Sequence, residues 1–136
     1  MLGILQYIKI YLFSLPVYLL IDGLWLTVIA KGFYAKHLGF LMTDKPNWVA
    51  AGIFYLSYVV GLIIFAVAPA LKDNSLMRAV VLGGLFGMFC YATYDLTNLA
   101  TVKGFPWFVA VIDIIWGISV SVFMAIVGFA IGQKVR

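Results

Sequence analysis

The stretch YATYDLTNLAT, Tyr91 to Thr101, decides how this chain is read. It ends an apolar run that begins near Leu76, yet it carries an aspartate, two tyrosines, three threonines and an asparagine. A bilayer would otherwise demand hydrocarbon there. Two other apolar runs carry a matching intrusion, Asp22 in IDGLW and Asp113 in IDIIWG.

Working outward, the whole chain shares this character. Of 136 residues, 65% are hydrophobic and 10% charged, and mean hydropathy is +1.12. A soluble domain is nearer half apolar and about a quarter charged. The apolar runs are continuous over about twenty residues each, the length an α-helix needs to span a membrane. A β-barrel would instead show alternating segments of about ten residues. The fold class is therefore all-α: a polytopic membrane protein, a four-helix transmembrane bundle in a single domain over residues 1–136.

The spacing predicts helices over 10–30, 48–70, 76–100 and 106–132. The first resembles a signal peptide only superficially. It exceeds the ~7–15 residues of a signal h-region and carries Asp22, so it is read as a retained helix, bent near Pro16. Between helices 1 and 2, the segment FYAKHLGFLM (33–42) is amphipathic enough to lie at the interface as a short connector helix. Asn74 and Ser75 offer a cap for helix 3, and Pro106 suits the first turn of helix 4. In helix 3, Gly84, Gly87, Met88, Tyr91, Asp95 and Asn98 share one face. Gly117, Ser121 and Ala125 form a small-residue ridge on helix 4, and the Gly83/Gly87 and Gly128/Gly132 pairs point to internal packing.

The formal net charge of +4 resides between or outside the apolar runs, where it sets topology. No basic stripe supports nucleic-acid binding. Lys9, Lys72, Arg78, Lys134 and Arg136 gather on one side, against Lys31, Lys36, Lys45 and Lys103 on the other. This balance favours both termini in the cytoplasm. Cys90 has no internal disulfide partner and reads as a small core residue. His37, alone in the connector, reads as a surface residue.

The three aspartates fall at one depth. Asp22 lies eight residues before Ala30, Asp95 six before Thr101 and Asp113 seven after Pro106. With alternating helix direction, each is roughly 9–12 Å below the same membrane face at 1.5 Å per residue. A carboxylate in hydrocarbon costs about 2.5–3.5 kcal/mol even on the lenient insertion scale. Such a layer holds protons or a cation, or it admits water. Lys31 and Lys103 have stems long enough to reach toward it. Tyr18 and Trp25 flank Asp22, Tyr91 and Asn98 flank Asp95, and Trp116 follows Asp113. Tyr55 and Tyr58 of helix 2 enter at similar depth. Trp25, Trp116 and Tyr91 read as donors to the aspartates, whereas Trp48 and Trp107 read as interfacial anchors.

Three functional classes fit these residues. One is a site for a cation, a proton or an amine-bearing small molecule or lipid headgroup, in which Asp22, Asp95 and Asp113 would also be the ligands of a hard metal cation. Another is an enzyme acting on a lipid or isoprenoid with paired aspartates as acid and base. The third is an accessory subunit of a larger membrane complex. Membrane lipids are the expected surroundings, and a homo-oligomer or larger assembly is expected for transport. Haem ligation by paired helix histidines is excluded, since the chain has one histidine.

IDGLW in the first helix, FYLSY in the second, YDLTN-x-AT in the third and D-x-x-WG in the fourth resemble domain-of-unknown-function family 2177. The similarity covers nearly the whole chain. It implies a short four-helix protein of the bacterial inner membrane, and it carries no activity with it.

Overall fold

The computed structural model describes residues 2–136. Helix α1 runs from Ile4 to Leu24 and continues as a π turn over Trp25–Ile29; α2 is Lys31–Leu38. Helix α3, Trp48–Leu62, passes through a second π turn at Ile63–Val67 into α4, Ala68–Lys72. Helices α5, Leu76–Thr101, and α6, Trp107–Lys134, complete the chain. Among the described residues there is no strand. Four stretches are long and apolar enough to cross a membrane: Ile4–Ile29, Trp48–Lys72, Leu76–Thr101 and Trp107–Lys134.

The first helix starts six residues before the expected Ile10, because Ile4 and Leu5 extend its apolar run. The connector helix is α2, slightly earlier than expected. Pro69 does not end the second span. The π turn before it hands the Ala68 N–H to the Ile63 carbonyl, which accommodates a ring that cannot sit in a regular α-helical ladder. Asn47 and Ser75 cap α3 and α5, their side chains accepting from the N–H groups of Ala50 at 3.1 Å and Arg78 at 3.2 Å.

Helix α6 is the centre of the bundle. It makes its most extensive interface with α5 and packs on α1 as well. Small residues set that closeness. A Cβ on Gly87 would run into the Gly117 carbonyl and Ser121, and one on Gly83 into Ala125. Gly128 and Gly132 give the same close approach to Val67 and Leu71. Both glycine pairs therefore serve packing within the chain. Large apolar side chains such as Leu12, Phe13, Ile53, Phe65, Phe89 and Ile115 face outward, as a lipid-facing surface requires. Trp48 and Trp107 are 77% and 67% exposed at the starts of their spans.

Cys90 departs from the reading as a core residue. It is exposed, because the buried face of α5 carries Gly83, Gly87 and Asp95 and Cys90 lies to one side of it. His37 is also more than a surface residue: its ring packs edge-on between Phe33 and Phe108, at 4.9 and 4.7 Å, and so ties α2 to the start of α6.

Candidate functional site

Two neighbouring cavities lie where α1 ends, α3 begins, α5 ends and α6 begins. The first, about 370 Å³, is lined by Asp22, Trp25, Tyr55, Tyr91, Asp113 and Trp116, with Leu26, Phe54, Cys90 and Tyr94. The second, about 450 Å³, takes in Lys31, Tyr34, Tyr94, Asp95 and Asp113 between apolar side chains of α2 and α6. Asp113, Tyr94 and Leu26 belong to both and form the partition.

Asp22, 5% exposed, is fully engaged. The Tyr55 hydroxyl donates to its Oδ2 at 2.6 Å and the Trp116 indole N–H to its Oδ1 at 3.2 Å. These bonds join α1, α3 and α6 at one carboxyl, which satisfies it inside the bundle. Asp113 is met from the connector: the Tyr34 hydroxyl donates to its Oδ1 at 2.6 Å and accepts from the Trp25 N–H at 3.1 Å. Trp25 and Trp116 stack face to face, 4.1 Å apart and 4° from parallel. The stacked indoles thus link the partners of Asp22 to those of Asp113. Burial, and then the bond to Asp113, push the Tyr34 phenol above its ordinary range.

Asp95 is different. It is 1% exposed, and its Oδ2 meets neither an N–H nor an O–H. Its neighbour is the Asp113 carboxyl. Two carboxyl groups side by side supply acceptors and no donor, unless a proton or cation stands between them. Lys31 lines the same cavity, and among the described residues it forms no ion pair; the one ion pair joins Arg78 to Asp73 at the far end.

Beneath these groups lies a tyrosine layer. Tyr18 stacks on Tyr58 at 4.4 Å, its hydroxyl lies 3.5 Å from that of Tyr91, and the Tyr58 hydroxyl is hydrogen-bonded to Ser121. Tyr18 and Tyr58 are core residues that floor the site and line neither cavity.

Of the residues the sequence singles out, Asp22, Asp95, Asp113, Tyr55, Tyr91, Trp25 and Trp116 meet at the cavities. Asn98 lines neither. Trp25 donates to Tyr34 and not to a carboxylate, and Tyr91 meets Tyr18. The three aspartates also do not converge on one point. Among the described residues no three His, Cys, Asp or Glu side chains gather as a metal-holding group, because Asp22 is turned to Tyr55 and Trp116. A three-carboxylate metal cage does not fit this geometry. Tyr34 is the participant that sequence reasoning missed. Its only signal is its place on the connector, one helical turn after Lys31, on the side of the membrane toward which the acidic layer opens.

No curated protein and no solved structure matches the chain. The model of a family described as "predicted membrane protein", domain of unknown function 2177, matches residues 7–130. This chain therefore belongs to that family of membrane proteins.

Proposed function

We propose that the protein binds an amine-bearing small molecule or lipid headgroup in the paired cavities, the ammonium group standing between Asp95 and Asp113. The observation that carries this reading is the Asp95 Oδ2 atom, buried and without a donor beside a second carboxyl. An ammonium group brings three donors and a positive charge to that place. The indole and phenol faces of Trp25, Trp116 and Tyr94 add cation–π attraction and apolar cover for the rest of the molecule. A proton shared by the two carboxyls occupies the site when no amine is bound. The membrane is the bacterial inner membrane, with both termini cytoplasmic.

The test is thermal unfolding of the purified protein in detergent with tryptamine or hexylamine, against sodium at equal ionic strength. Stabilisation by the amines is expected in the wild type and is lost in Asp95→Asn and Asp113→Asn. Equal stabilisation of wild type and both variants, or none by either amine, sinks the proposal.

The same carboxyl pair would also suit acid–base exchange on a lipid or isoprenoid. Turnover of an extracted lipid by wild type but not Asp95→Asn would favour that second reading.

A further inference from the structure

The opposite end of the bundle carries a site of inverse chemistry. A cavity of about 640 Å³ is lined by Lys72, Arg78 and Arg136, with Asp73 as its one acidic side chain and Tyr7 at its wall. Arg78 is paired with Asp73, and Arg136 donates to the Leu71 carbonyl. Among the described residues neither Lys72 nor Arg136 has an acidic partner, so the cavity keeps an excess of positive charge. Through Tyr7, Ile64 and Ala68 it runs on into a second cavity of about 470 Å³. That one is an apolar groove between α1 and the end of the second span, walled by Ile4, Ile8, Tyr11, Val60 and Ile63.

The cations lie at the end of the spans and the groove lies along them. A ligand filling both must therefore place an anion at the membrane surface and a hydrocarbon chain in the bilayer. Arg presents a fork suited to phosphate oxygens and Lys a compact charge. Basic groups at this level attract anionic lipids. We propose that this end of the bundle binds an anionic phospholipid, its phosphate among Lys72, Arg78 and Arg136 and one acyl chain in the α1–α3 groove. The site is independent of the acidic cavities.

The experiment is native mass spectrometry of the full chain in detergent, titrated with palmitoyl-oleoyl phosphatidylglycerol, the matching phosphatidylcholine, or sodium phosphate. Wild type should retain the glycerol lipid in preference to the choline lipid. Lys72→Gln with Arg136→Gln should lose that preference by about fivefold per cation removed. Ile8→Trp, which fills the groove, should weaken retention of both lipids. If the double variant unfolds, Lys72→Gln alone decides, since its side chain is exposed. Equal retention of the two lipids by wild type overturns the proposal. So does an unchanged preference in the variants, or displacement of the lipid by sodium phosphate at equal concentration, which would leave the groove without a part.

Discussion

At the scale of single residues, the two best-buried aspartates should respond oppositely to the same change. Asp22 accepts from Tyr55 and Trp116 through separate oxygens. In Asp22→Asn the amide must turn its NH2 toward one of those donors, at a cost of about 1–3 kcal/mol. Asp95 has no donor to lose, and Asp95→Asn supplies an N–H toward Asp113. Thermal unfolding in one detergent should rank Asp95→Asn at or above wild type and Asp22→Asn well below it. The reverse order would contradict the hydrogen bonds described. How much of this was readable beforehand differs by residue. The depth of Asp22, Asp95 and Asp113 follows from a fixed rise per residue, so their common layer was legible. Their partners were not. Trp25 lies in a π turn, where counting by 3.6 no longer tells where a ring points. Tyr34 sits in an eight-residue helix whose register against the bundle no periodicity encodes. Asn98 lies three positions after Asp95, close to the buried face in sequence and yet off the cavity walls.

At the scale of elements, the helix spans were legible because length and hydropathy alone define them, as were the glycine pairs. What escaped was the pair of π turns, since no composition marks them in advance. The glycines divide by what surrounds them. A Cβ on Gly87 meets the Gly117 carbonyl and Ser121, whereas one on Gly52 meets nothing within 4 Å. Gly87→Ala should therefore push α5 from α6 and cost about 1–3 kcal/mol. Gly52→Ala should stabilise α3 by about 0.5–1 kcal/mol through its lower backbone entropy. Denaturant titration of both variants checks this, and equal effects would mean that the α5–α6 contact is looser than described.

At the scale of the whole molecule, chemistry is segregated by face. Acidic and aromatic groups gather at the α2 end, and Lys72, Arg78 and Arg136 at the other. The near balance of basic residues left orientation weakly marked in the sequence, whereas the split between an acidic and a basic end needed the fold. If both termini are cytoplasmic, as proposed, a cysteine placed at exposed Thr43 in a Cys90→Ser background should react with a membrane-impermeant maleimide in intact cells. One placed at Lys134 should react only after lysis. The opposite pattern would turn the protein over and put the basic cavity outside.

Changes in chain length are where the π turn at Trp25–Ile29 matters most. Such a turn takes up one residue more than a regular turn while the chain beyond it keeps its place. It is slack of a single residue. Deleting Val28, which points outward, should close the bulge into ordinary helix and leave Tyr34 on Asp113, with unfolding temperature and tryptophan fluorescence near wild type. Deleting Leu20, equally exposed but within the regular part of α1, has no slack to consume. It would rotate all that follows by about 100° and tear Asp22 from Tyr55. Single-residue gaps among related chains should accordingly collect at positions 25–29 and be missing from the turns before them.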